Sequence, residues 1–315
     1  MDDQSTVQKE EYRTADEFLD ALSPRAQLLR KAHPPFDLFR GHGDQRYQLI
    51  PTALRPSKPI DANEQPNKVE RQTNEAQIDL EIATIADFFE RADANGLSLP
   101  EDSQALRSRL FDLTYKEEAR INADGLFIWP PEELLSLIAL AQHYGLRTRL
   151  LDWTRRAFTA AYFAAIEAAR WQKEPEHAPA GLERLAVWAL KDTYDLHLIV
   201  SGKNCQRMQR IKEITIVTAP TATNPNLLAQ SGVFTLHRPA TIELKSQVEP
   251  EPLDCVAMRL QEEDDIHQHL VEYSLPIDES PKLLHLLAIE GVNAASLFPG
   301  YNGVVRAMKE KEYWH

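Results

Sequence analysis

Cysteine is nearly missing from this sequence. Only Cys205 and Cys255 occur, and neither has a Cys or His partner at zinc-finger spacing. That excludes a disulfide framework and argues against a structural zinc site. Long apolar runs are missing too: no stretch of about 18 apolar residues reads as a membrane-spanning helix. The acidic, polar start Met1-Asp2-Asp3-Gln4-Ser5 is not that of a secretory leader, so the expected location is cytoplasmic, with no membrane contact. Basic residues are in deficit, 35 against 48 acidic ones, for a net charge of -13. Such a surface repels phosphate backbones, which argues against broad nucleic-acid binding and leaves room only for a local basic groove. There is no phosphate loop, dinucleotide-binding glycine fingerprint, nucleophile elbow or zinc-protease helix motif. His267-Gln268-His269, after a run of acidic residues, reads as a solvated charged face, so no metal is expected.

What remains is a chain of 315 residues with 43% hydrophobic and 26% charged content, enough for one elaborated domain with a full core. Apolar spacing predicts helices over 14–31, 70–94, 103–115, 130–144, 156–171 and 281–290. Short strands are expected at 36–41, 148–152, 185–190, 214–218, 232–237, 256–260 and 271–275. Residues 1–13 are polar and read as frayed. The Pro-, Asp- and Asn-rich stretch 57–68 reads as an exposed loop. These elements divide the chain into an N-terminal helical segment (1–30), a main domain (31–305) with a helical insertion at about 58–122, and a C-terminal tail (306–315).

Two segments concentrate the chemistry. In Leu38-Phe39-Arg40-Gly41-His42-Gly43, Arg40 ends an apolar strand just before two glycines. A guanidinium there suits phosphate or carboxylate, and glycine lets a ligand approach the backbone; a structural ion pair is the competing role. Residues 142–154 crowd Gln142, His143, Tyr144, Thr148, Asp152, Trp153 and Thr154 at a helix–strand–helix junction. Such crowding implies either internal partners or a ligand. Thr154 is equally suited to cap the next helix, and His143 to be a satisfied core histidine. A weaker third segment, 229–235, places Gln230 before a strand containing Phe234; a carboxamide orients a substrate but is no general base.

At these residues the chain resembles the FRG domain family, named for its Phe/Tyr-Arg-Gly motif. The resemblance rests on Leu38-Phe39-Arg40-Gly41 with Tyr47-Gln48-Leu49-Ile50-Pro51, on Gln142-His143-Tyr144-Gly145 with 148–154, and on 161–164. The stretch 230–235 and Gly291-Val292 with 296–299 extend it to about residues 30–305. The motif order is similar to that of ADP-ribosyltransferases, which implies an α+β fold with small mixed sheets in a split arrangement, surrounded by helices. It implies NAD as substrate and cleavage of its nicotinamide bond, by an ADP-ribosyltransferase or NAD glycohydrolase-like effector in bacterial or phage conflict. Arg40, His143, Asp152 and Gln230 would then be catalytic. Arg40, Gly41, Gln142, Tyr144, Thr148, Trp153, Thr154 and Phe234 would bind the nucleotide, with a protein as the further partner or target. Gln230 stands where those enzymes carry an acid, so Asp152 or Glu243 would have to replace it. The alternative is a non-catalytic module that senses a nucleotide or another ligand.

Overall fold

The computed structural model describes residues 7–29, 36–55, 72–111, 129–191, 197–200, 209–221, 224–239, 242–264 and 270–314. The fold is mixed α and β. Seven strands form one sheet in the order β1 (Gln8–Glu11), β9 (Leu270–Pro276), β4 (Arg184–Leu190), β2 (Leu38–His42), β3 (Leu150–Thr154), β8 (Gly232–His237), β7 (Ile214–Val217). Only β1 and β9 run parallel in it. A separate two-stranded sheet pairs β5 (His197–Val200) with β6 (Gln209–Lys212). Among the described residues, no helix is long and apolar enough to cross a membrane.

Alternation along the strands sorts the core onto the two faces. Phe39, Val187, Ala189, Val271 and Tyr273 share one face, against α6 (Ala157–Lys173), α1 (Ala15–Leu22) and α9 (Ser280–Ile289). The buried positions of α6 are mostly alanines, so the helix lies close to the sheet. Gly41 belongs to that close approach: a Cβ there would sit 2.0 Å from the Ala160 carbonyl oxygen. Leu38, Trp188, Leu190 and Leu270 pack on the other side with α8 (Leu253–Asp264). A third cluster joins Leu150, Phe234 and Leu236 to α3 (Asn74–Ala94), α4 (Gln104–Phe111) and α5 (Leu135–His143).

The expected strand at 256–260 lies inside α8. Leu253, Val256 and Ala257 are buried while Asp254, Cys255, Met258 and Arg259 are half-buried, a helical spacing that overrides the short apolar run. The single helix expected over 14–31 divides into α1 and α2 (Pro24–Leu29) because Ser23, preceding a proline, is extended at ψ 144°. Part of the polar start is ordered: β1 pairs with β9, and Thr14 caps α1 by accepting from the Glu17 amide. The N-terminal segment therefore shares the main core. Likewise the expected tail includes the end of α11 (Tyr301–Glu310) and a 3-10 turn, Lys311–Tyr313. The loop at 57–68 and His267-Gln268-His269 lie outside the described residues.

Candidate functional site

Strands β2 and β3 meet at one register pair, Phe39 with Thr154, and then part. Arg40 spans the opening. Its Nη1 donates to the Asp152 carbonyl at 2.6 Å and lies 3.7 Å from the Asp152 carboxylate, while its Nε donates to His42 Nε2 at 2.9 Å. Arg40 thus has a part in holding the fold, and its side chain is still 15% exposed. Accepting from Arg40 requires a free lone pair on His42, so its imidazole is neutral with the proton on Nδ1. Burial, reinforced by the charges of Arg40 and Arg55, holds the His42 pKa well below the usual histidine value.

The Asp152 side chain is 57% exposed. It accepts from Gln142 Nε2 at 3.0 Å. Gln142 is set in turn by Thr148, whose hydroxyl donates to Gln142 Oε1 at 2.5 Å and accepts from the Leu150 amide at 3.1 Å. This chain explains why Gln142 and Thr148 are buried without cost: they orient an exposed carboxylate from behind. His143, at the end of α5, is half-buried; burial lowers its pKa while the charge of Asp152 opposes that shift. Tyr144 follows it, exposed and edge-on to the imidazole at 5.6 Å.

Arg55 lies close enough for its charge to act on Arg40 and His42, and Arg147 is tied to the Arg55 backbone; the motif reading missed both. The 3-10 turn Thr52–Leu54 leads directly into Arg55. Arg147 Nε and Nη2 donate to the Thr52 carbonyl at 3.0 and 2.7 Å, and Nη2 also reaches the Arg55 carbonyl at 3.2 Å. Arg55 Nε donates to the Ile50 carbonyl at 2.9 Å. Among the described residues, neither arginine touches a carboxylate. The signal in the sequence was two arginines flanking the motif on a chain that is acidic elsewhere.

Other expected site residues are used within the fold. Gly41 packs against Ala160. Trp153 is buried and donates from Nε1 to the Thr235 hydroxyl at 2.8 Å. Phe234, 1% exposed, belongs to the core with α3 and α5. Trp153 and Phe234 thus serve core packing, and Gly41 the close approach of α6 to the sheet. Thr154 donates to the Gln230 carbonyl at 2.6 Å and accepts from the Arg156 amide at 3.1 Å; the N-cap residue of α6 is Arg156. The Gln230 side chain turns to the Leu297 carbonyl at 3.2 Å, so it does not join Asp152. Glu243 stands in a separate pocket whose lining does not include Asp152.

No curated protein and no solved structure matches the chain. A family model does match, over 37–173, which runs from the start of β2 to the end of α6 and includes Arg40, Gln142, Asp152 and Arg147. Gln230 and the later strands lie beyond that match. Within those bounds the chain carries an FRG domain.

Proposed function

We propose that the FRG domain binds a nucleotide of the NAD class in the cleft between β2 and β3 and cleaves its nicotinamide N-glycosidic bond. One observation carries this reading: the exposed Asp152 carboxylate lies beside Arg40, with Arg55 close by and Arg147 bonded to the Arg55 carbonyl, in a chain of net charge -13. Guanidinium groups bonded to carbonyls keep their charge and their remaining N–H donors for phosphate oxygens. As the glycosidic bond breaks, nicotinamide leaves with the bonding pair and positive charge develops at the ribose anomeric carbon. A fixed carboxylate stabilises that charge. Asp152 is such a group, oriented by Gln142 before any ligand arrives. Water or an acceptor nucleophile then adds to the anomeric carbon and releases its proton to solvent.

A second reading, nucleotide binding without turnover, is favoured by Gln230. It is a carboxamide, already engaged with Leu297, so the late strand brings no second acid to the cleft. Incubating the purified chain with NAD separates the two. Free nicotinamide that disappears in Asp152→Asn supports catalysis. Saturable NAD binding with no nicotinamide released supports sensing. The absence of both rejects the NAD reading.

A further inference from the structure

On the other side of the Thr52–Leu54 turn lies a pocket of about 490 Å³, within the range of small-molecule sites. Leu54, Leu151 and Val248 give it apolar walls, and its charged lining includes Arg149, Glu243 and Glu251. Three observations define what it would accept. First, Arg149 is 8% exposed; its Nε donates to Glu81 at 2.6 Å, and its Nη2 is buried with no partner among the described residues. A buried donor left unpaired is costly, and the guanidinium that carries it belongs to a residue lining this pocket. Secondly, Glu243 is exposed, and its carboxylate has no partner among the described residues. Thirdly, Glu251 is only shared, with Arg259 Nη2 at 3.2 Å and His237 Nε2 at 4.0 Å.

A metal ion does not fit as well. Glu213, His237 and Glu251 bring ligand atoms within 4.8 Å of one another. Arg259, however, already donates to Glu213 at 2.7 Å and to Glu251 at 3.2 Å, so a guanidinium supplies the positive charge there. The remaining polarity is that of a dipolar ligand, with an anion-accepting wall at Arg149, the unpartnered carboxylate of Glu243, and hydrocarbon between them.

We propose that this pocket binds a small zwitterion of the basic amino-acid class. Its carboxylate meets Arg149, its aliphatic stem lies on Leu54, Leu151 and Val248, and its cationic end faces Glu243. The proposal goes beyond the NAD reading and uses none of the cleft residues.

The test is calorimetric titration of the full chain with L-arginine, with agmatine as the same cation lacking the carboxylate. L-arginine is expected to bind, and agmatine about tenfold more weakly, the loss of one charge-assisted contact. Glu243→Gln should weaken L-arginine severalfold at an unchanged melting temperature, since that carboxylate has no structural partner. No heat from L-arginine at millimolar concentration, agmatine binding as tightly as L-arginine, or full affinity in Glu243→Gln would each overturn the proposal. Titrating NAD in parallel keeps the two ideas apart, because binding of L-arginine by a chain that ignores NAD would reject only the cleft reading.

Discussion

Arg147 and Arg149 stand two residues apart on the approach to β3, and their surroundings could hardly differ more. Arg149 is buried against Glu81, whose carboxylate also accepts from Trp129 Nε1 at 2.7 Å and Gln77 Nε2 at 2.6 Å. Every lone-pair direction of that carboxylate useful to the core is taken, as a buried charge requires. Arg147 is exposed and donates to the backbone carbonyls of Thr52 and Arg55. The contrast shows how one polar-rich segment divides its labour. A guanidinium paired through Nε with a buried carboxylate fastens the insertion helix α3 to β3 and leaves only Nη2 over, whereas one resting on carbonyls has no carboxylate partner among the described residues.

The comparison is broken most forcefully at Glu81. Glu81→Ala leaves Arg149 buried and unpaired, which costs about 3–5 kcal/mol of stability. Urea unfolding would measure it, and a loss below about 1 kcal/mol, the worth of a surface pair, would mean that the two regions do not differ as argued. Gly41→Ala comes next. Its methyl group would press on the Ala160 carbonyl, so overpacking should cost about 1–3 kcal/mol or more. A Gly41→Ala protein that unfolds normally but loses nucleotide binding would return Gly41 to the site.

Both effects bear on how much could be read beforehand. Arg40, Asp152, Gln142, His143, Tyr144 and Thr148 were visible as polar residues crowded at element junctions, and the structure links Arg40, Asp152, Gln142 and Thr148 in one hydrogen-bonded chain. Sequence did not separate the roles within that crowd. Trp153 and Thr154 read as ligand contacts, yet Trp153 faces the core beside Thr235 and Thr154 ties β3 to the turn at Gln230. Their partners lie about 80 residues away, and local pattern carries no such information. The same limit hid β1, a run of polar residues that is a strand only because β9 stands beside it. It also hid α8, where a short apolar run reads equally as strand or helix.

His42 sharpens the comparison through pH. In the unfolded chain its imidazole titrates near the ordinary histidine value of about 6.5. In the folded protein burial and the neighbouring arginines hold its pKa well below that. As pH falls below the unfolded value, the unfolded chain takes up a proton that the folded one refuses, so stability declines. The slope approaches about 1.4 kcal/mol per pH unit until the folded pKa is reached. Unfolding free energies measured between pH 7.5 and 5.5, bounds chosen to straddle about 6.5, should fall more steeply for the native protein than for His42→Gln. Parallel curves would show that His42 is not the neutral acceptor described for Arg40.

The smallest effect on folding is expected at Arg147, and it tests the other half of the contrast. Arg147→Ala removes hydrogen bonds to Thr52 and Arg55 but strands no buried charge, and exposed changes of this kind usually stay within about 0.5 kcal/mol. Its melting temperature should therefore stay close to that of the native protein. Nucleotide affinity should fall by about tenfold or more, the contribution of one charge-assisted contact to phosphate. That loss should shrink as salt is raised, because added ions screen an exposed charge. Arg147→Lys separates charge from shape: if the planar fork matters, lysine recovers only part of the affinity. Calorimetric titration with NAD at two salt concentrations reads both quantities. A large drop in melting temperature with unchanged affinity would place Arg147 beside Arg149 among the residues that hold the fold.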